Sequence, residues 1–388
     1  MSLGLHITTR CDLNCRFCFN WESDKKRTDQ TLEYPDIQRI LDAAREKGHR
    51  YLTVTGGEPF LHKDIFKTID YACNLGFLVN ILTNGLLIDE HAAEKLRGNS
   101  RLRIRVSLEG ADKEVHEYFR GENTFNRARN ALQLMVKNNI SVGIGFTVYE
   151  ENLKEMEKAV RLCMELGCAF IRFTPVVRLL KGKQAKINAA LHENILTGIV
   201  GLQVKYKDNI DFPGLDRGDF PVPIEALTTK RCEAGCNFFT LNPGKILLPC
   251  SLIRPDAKIP RKVFTGKEDF HVVNRRMDEL LEDVAANLTG LCAVCEFKAS
   301  CAGGCLAEKL SFDRSLYDEQ PVCFKRILKK IEKKFNGESN DMQRMKRSWL
   351  HRINCSRSPG EDETRYCSRK APFWTILFKP GNQNRLQG

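Results

Sequence analysis

No stretch of about 18 apolar residues occurs in the 388-residue chain, so no membrane-spanning helix is expected. The opening residues, MSLGLHITTR, lack a basic region followed by an apolar one, so no signal peptide is expected either. The eight histidines form no pair at metal-ligand spacing, and no internal repeat or low-complexity tract stands out. Net positive charge is small over most of the length. Residues 324–388 carry 16 Lys and Arg against 6 Asp and Glu, and so hold +10 of the total +12. The first 323 residues are nearly neutral. A nucleic-acid-binding core would bear its own basic face, so nucleic acid is not an expected partner.

Cysteine, by contrast, is abundant. Sixteen thiols in a chain without an export signal point to a reducing, cytoplasmic compartment and to metal rather than disulfides. The length, with 42% hydrophobic residues, allows one large domain and at least one smaller one. Short apolar runs (LGLHITT, YLTVTG, FLVNILT, LRIRVSL, ISVGIGFTV and AFIRFTPV) alternate with helical patterns such as YPDIQRILDAAREKG, KDIFKTIDYACNLG and NLKEMEKAVRLCMELG. Each of these helical patterns ends on Gly, the usual residue just past a helix C-terminus. Six such units over residues 1–205 predict an α/β fold with a parallel sheet, open or curled into a partial barrel. Residues 206–231 are richer in Pro and Gly and read as a linker. Residues 232–323 hold eight cysteines and little core-forming periodicity, so metal is expected to hold a segment poor in apolar residues. Residues 324–388 read as a basic helix and tail with one apolar patch, APFWTILF.

In parallel α/β folds, function collects where the strands end. CDLNCRFC follows the first strand, TGGEPF the second, TNG the third and SLEG the fourth. Each alone could be a turn; in series along one sheet edge they point to a site. Cys11, Cys15 and Cys18 are soft ligands suited to zinc, copper(I) or an iron–sulfur cluster. Three thiolates on a four-iron cluster leave one iron open for a substrate or cofactor, as catalytic zinc keeps an open position.

The spacing C-x3-C-x2-C after a first strand, with Phe17 before the last Cys and GGEP following, resembles the radical S-adenosylmethionine (SAM) enzymes over residues 5 to about 180. The resemblance implies a partial (β/α)6 TIM-like barrel. It also implies a four-iron cluster on Cys11, Cys15 and Cys18 whose open iron chelates the methionyl amine and carboxylate of SAM. One electron would cleave SAM to methionine and a 5′-deoxyadenosyl radical that abstracts hydrogen from the substrate. By the same resemblance Gly56, Gly57 and Glu58 receive the amine, Pro59 shapes the turn, and Ser107 and Arg120 hold the carboxylate and ribose. Phe17 and Asn84 complete the implied cofactor-binding set. The residue types suit these roles, since glycine admits close backbone approach, a carboxylate suits an amine, and a guanidinium fork suits a carboxylate. Glu109 stands where relatives often have Asp. A surface helix Arg at 120 and a simple turn Asn at 84 are the structural alternatives.

A second constellation lies downstream. CAVCEFKASCAGGC gives Cys292, Cys295, Cys301 and Cys305, with Cys323 after it and Cys232, Cys236 and Cys250 before it. This resembles the SPASM extension of radical SAM enzymes, which holds two auxiliary clusters, for three 4Fe–4S clusters in all. The resemblance implies Cys232, Cys236, Cys250 and Cys305 on one, and Cys292, Cys295, Cys301 and Cys323 on the other. Gly244 lies one residue further from Cys250 than the common pattern, which implies a small loop insertion. Two structural zinc sites are the rival reading, since C-x2-C pairs are common zinc knuckles. Cys73, Cys163 and Cys168 read as buried thiols.

The SPASM resemblance implies a peptide or protein substrate, with haem-precursor or other small-molecule chemistry as the alternative. A zinc protein using its basic tail on nucleic acid is a more remote one. Ser251 stands where sulfatase maturases tend to carry Asp, which speaks against that activity. The first strand begins within the first few residues, so no N-terminal leader-binding module is expected. A separate recognition protein, or the basic tail, would then have to do that job, with a flavodoxin or ferredoxin as reductant.

Overall fold

The structure, a computed structural model, describes residues 1–18, 29–179, 181, 188–206, 208–213, 234–253, 258–323, 326, 327 and 330. All six expected strands are present: β1 (Ser2–His6), β2 (Tyr51–Thr55), β3 (Leu78–Thr83), β4 (Leu102–Ser107), β5 (Ser141–Val148) and β6 (Phe170–Pro175). They pair in parallel and in sequence order, each with the next. Helices fill the crossovers: α1 (Tyr34–Glu46), α2 (Ile65–Asn74), α3 (Glu90–Leu96), α4 (Lys113–Arg120), α5 (Phe125–Lys137) and α6 (Met156–Glu165). The result is the six-stranded partial barrel of the sequence reading.

Local chemistry sets the helix ends. Gly48, Gly76 and Gly167 follow α1, α2 and α6 with φ of 85°, 85° and 73°, a left-handed conformation that glycine adopts freely. Asn139 (φ 55°) does the same after α5. On β2 and β3 every second residue is buried, and Leu52, Val54, Val79 and Ile81 are essentially inaccessible. Their neighbours Thr53, Thr55, Asn80 and Leu82 are only half-buried, the alternation of a sheet with one packed face.

The cysteine-rich segment departs from expectation. Its first strand, β7 (Phe238–Leu241), pairs in parallel with β1 over Ser2–Leu5, and β8 (Ile246–Leu248) and β9 (Lys262–Val263) follow antiparallel. One nine-stranded sheet therefore runs β6-β5-β4-β3-β2-β1-β7-β8-β9. Against the expectation of little core-forming periodicity, α8 (Glu268–Ala286) buries Phe270, Val273, Met277, Leu281 and Val284, spaced three and four apart. That stripe, with Phe239, Leu241, Leu247 and Phe264, supplies an apolar core besides any metal. Further on lie α9 (Gly290–Ala293), α10 (Lys298–Cys301) and α11 (Leu306–Ser311). Helix α7 (Ala189–Lys205) precedes the expected linker, most of which falls outside the described residues. Its described part is anchored: Asp211 bridges to Phe170 and pairs with Arg103 at 3.0 Å. The tail from Glu332, with APFWTILF, Cys355 and Cys367, also lies outside the described residues.

His49 marks the junction. Fully buried, its ring lies 5.6 Å from that of Phe239 and 4.9 Å from that of Phe270, and neither nitrogen has a hydrogen-bond partner among the described residues. Burial lowers its pKa to about 4. An unfolded His titrates near 6.5. The unfolded chain therefore takes the proton first, and stability is lost as pH falls from about 6.5 towards 4, by roughly 2 kcal/mol at pH 5. Replacing His49 with Leu should shrink the stability difference between pH 7.5 and pH 5 by about that much. Urea titrations of the full chain at both values check this; an unchanged difference would mean that His49 carries no proton linkage.

Candidate functional site

The site begins where β1 runs out. Residues 7–10 continue beside the loop after β2: Ile7 N–H donates to Thr55 O at 3.0 Å, Gly57 N–H to Thr8 O at 2.7 Å, and Glu58 N–H to Arg10 O at 2.7 Å. The two glycines are explained by this contact. A Cβ on Gly57 would lie 2.0 Å from Arg10 O, and one on Gly56 (φ +146°) 2.4 Å from Thr8 O. The glycines do admit close backbone approach, and the backbone they admit is that of the strand feeding Cys11.

Glu58 is 1% exposed and accepts three hydrogen bonds. Oε1 takes Thr83 Oγ1–H at 2.7 Å and Phe60 N–H at 3.1 Å, and Oε2 takes Asn84 N–H at 2.8 Å. Burial nevertheless raises its pKa to about 7, and no cation among the described residues offsets the lost hydration. Pro59 opens a 3-10 turn, Pro59–Leu61. His62 closes the turn, accepting Asp64 N–H on Nδ1 and so donating from Nε2 to Leu32 O at 2.8 Å. Asn84 is more than a turn residue: its amide donates to Asp12 Oδ1 at 2.7 Å while its Oδ1 accepts Leu86 N–H at 2.8 Å. Asp12, Asn84, Glu58 and Thr83 thus tie the loops after β1, β2 and β3 into one network.

The cysteine loop is gripped from the other side by α4. Arg16 N–H donates to Phe119 O at 2.9 Å. Phe17 lies 6.0 Å from Phe119 and 5.2 Å from Tyr149, which stack on each other at 4.8 Å. Arg120 lies over the Phe17 ring at 5.1 Å. Its fork is engaged with Glu109, through Nε to Oε2 and Nη2 to Oε1 at 2.9 Å, and Nη1 faces Cys15 Sγ at 3.7 Å. Neither a surface arginine nor an unengaged fork is found. Glu109 is 0% exposed, its backbone held by His116 Nδ1 and Asn152 Nδ2. Ser107 ends β4 half-buried. Phe119, Tyr149 and Asn152 join the site only through tertiary packing, and no local motif marks them.

Cys15 is buried, Cys18 half-buried and Cys11 exposed, with each close enough to the next for their charges to interact. Burial raises the pKa of the Cys15 thiol, which Arg120 opposes. In the cysteine-rich segment, Cys250 follows β8, Cys292 and Cys301 sit in α9 and α10, Cys305 precedes α11, and Cys295 and Cys323 lie between elements. All six are half-buried and Cys236 is exposed; Cys232 lies outside the described residues. Among the described residues no three thiol, imidazole or carboxylate groups converge as ligands of a single ion would. A four-iron cluster asks for a wider set, because each thiolate binds a different iron.

Residues 5–163 match the family model of the Radical SAM superfamily. Over 348 residues the chain is 28% identical to the AdoMet-dependent heme synthase of Methanosarcina barkeri (strain Fusaro / DSM 804), covering 84% of this chain and 97% of that protein. It is 23% identical over 324 residues to the antilisterial bacteriocin subtilosin biosynthesis protein AlbA of Bacillus subtilis (strain 168), covering 82% and 69%. Its fold is similar to that of Streptococcus suis SuiB bound to S-adenosylmethionine, with a TM-score of 0.69, 18% identity, and 83% and 77% of the two chains covered. SuiB bound to its precursor peptide SuiA matches with a TM-score of 0.68. Residues 5–163 of this chain thus form a radical SAM domain, and the cysteine-rich segment follows it. SAM and a 4Fe–4S cluster are its cofactors.

The residues present fit those groups. Three soft donors stand together; among the described residues a buried carboxylate lacks a positive neighbour, and the Oη of buried Tyr149 has no partner while lying near Arg120 and Cys15. The pair that shapes this side of the site should be costly to break. Glu109→Gln leaves a buried guanidinium without its counter-charge, and should destabilise the protein by about 3–5 kcal/mol. Denaturant unfolding of the full chain reads this; a loss below about 1 kcal/mol would mean the pair behaves as a solvated one.

Proposed function

We propose that the enzyme modifies a peptide or protein, and that its eight downstream cysteines hold two auxiliary 4Fe–4S clusters. The observation that carries this reading is the continuous sheet: β7 of the cysteine-rich segment pairs with β1, the strand that feeds Cys11. Auxiliary centres built on that segment are thereby held in register with the radical site. Similarity to AlbA and to SuiB, the latter solved with a precursor peptide, supports the substrate class. When bound, the cluster on Cys11, Cys15 and Cys18 together with SAM supplies a 5′-deoxyadenosyl radical. The chain's own residues bind and orient. Glu58 and the Gly56 and Gly57 carbonyls receive the methionyl amine, Ser107 and Nη1 of Arg120 serve the carboxylate end, and Phe17 walls the site. A separate recognition protein and a flavodoxin or ferredoxin reductant complete the proposal. A cytoplasmic location suits sixteen thiols; among the described residues no helix is long and apolar enough to cross a membrane.

One observation favours a second reading, a small polycarboxylate substrate of the haem-precursor kind. Register puts Arg105 of β4 and Arg172 of β6 on the same sheet face as Ser107, and a relative matched nearly end to end is a heme synthase.

Three experiments test the proposal. Anaerobic reconstitution should give about twelve irons per chain, and replacing Cys11, Cys15 and Cys18 with Ala should remove about a third of them. That variant should cleave no SAM; retained cleavage would refute the assignment. With deuterated substrate, label should reach 5′-deoxyadenosine from a peptide, and label arriving only from a carboxylate-bearing tetrapyrrole would favour the second reading instead. Glu58→Gln should leave iron content intact but weaken SAM binding by roughly ten- to a hundredfold, since its amide nitrogen cannot accept a hydrogen bond. Unchanged calorimetric affinity would confine Glu58 to holding Thr83 and Asn84.

A further inference from the structure

Lys309 lies in α11 within the cysteine-rich segment and is 0% exposed. Lysine is almost never fully buried unless paired with an opposite charge. Among the described residues, Nζ makes one hydrogen bond, to Leu316 O at 2.7 Å, and no ion pair. The charged groups that act on it are Cys292, Cys301, Asp318 and Cys305. Three of those four are thiols from three separate turns of chain. Its backbone N–H donates to one of them, to Cys305 O at 3.1 Å.

The sequence CAGGC makes room for this side chain. Gly303 adopts φ +73°, and a Cβ there would sit 2.6 Å from Lys309 Nζ and 2.4 Å from a Leu288 methyl. The glycine between Cys301 and Cys305 thus lets an ammonium press against the backbone that carries the thiols. An ammonium has three donors, of which Leu316 takes one. Two remain, in a place where three of the four charged groups that act on it are cysteine sulfurs and the fourth is Asp318.

We propose that the Lys309 ammonium donates to the sulfurs of the auxiliary iron–sulfur cluster bound by Cys292 and Cys301, and raises the reduction potential of that cluster. This rests on the auxiliary-cluster reading above. Hydrogen bonds to cluster sulfurs and nearby positive charge stabilise the reduced, more negative state, which is why both move the potential upwards. Lys309 is a positioning and tuning residue in this account, since it binds no iron.

The test uses the full chain with Cys11, Cys15 and Cys18 replaced by Ala, reconstituted anaerobically, so that only auxiliary clusters respond. Redox titration followed by electron paramagnetic resonance should show, in Lys309→Met, about eight irons per chain and a lowered midpoint for one cluster. Lys309→Arg, which keeps the charge, should return that midpoint towards the starting value. An unchanged midpoint in Lys309→Met at full iron content overturns the proposal and leaves Lys309 as a tether for Leu316. A measurement without substitution at 309 guards against misfolding. With 15N placed selectively in lysine, electron–nuclear double resonance of the reduced clusters should detect a coupled lysine nitrogen; its absence overturns the proposal as well. Failure of the underlying reading looks different: the triple-Ala background would then hold no iron, or zinc, before Lys309 is touched.

Discussion

The contact between two pieces of backbone governs this molecule. Residues 8–10, leaving β1, lie so close to Gly56 and Gly57 that no Cβ fits between them, and two hydrogen bonds of 2.7 Å lock the pair. Everything that follows at this sheet edge is hung from that seam. On one side it sets where Cys11 begins; on the other it directs Glu58 inwards, where Thr83 and the Asn84 N–H meet its carboxylate. Asn84 then returns to Asp12, inside the cysteine loop. A residue larger than glycine at 56 or 57 would push apart the two loops that have to face one ligand, so the motif is structural before it is chemical.

β1 is the strand on which both halves depend. It pairs with β2 on one side and β7 on the other, and so carries the radical site at its C-terminal end and the cysteine-rich segment along its flank. Gly4 is tightly fitted here: a Cβ would lie 3.1 Å from Thr240 Oγ1 and 3.5 Å from the Phe238 ring. His49 and Phe270 then seal the joint with apolar contact. A shift in register of β1 would displace both regions together, since its side-chain period is two residues.

What is legible in the sequence is what is local. Six strands, the helices ending on Gly48, Gly76 and Gly167, and the motifs at successive strand ends all depend on short-range spacing, and the fold keeps them intact. Helix α8 escapes a sequence reading for a different reason. Its apolar positions 270, 273, 277, 281 and 284 have helical spacing, but charged residues crowd between them and cysteines flank them, so the metal pattern overshadows the core pattern. The partner of Arg120 is not legible at all. Glu109 lies eleven residues away across a turn and a helix, and only the fold turns α4 so that the fork meets it. Tyr149 and Asn152 enter the site in the same way, from the loop beyond β5.

The two cysteine regions differ in how they handle positive charge, and that difference has consequences for electron flow. Beside Cys15 stands a guanidinium already matched by a fully buried carboxylate, so the thiolates there gain a hydrogen-bond donor with little net positive field. Beside Cys292 and Cys301 stands an ammonium whose one hydrogen bond among the described residues goes to a neutral carbonyl. On the proposal above, an auxiliary cluster held at Cys292 and Cys301 would be easier to reduce than a cluster held at Cys15, where the guanidinium adds little net positive field.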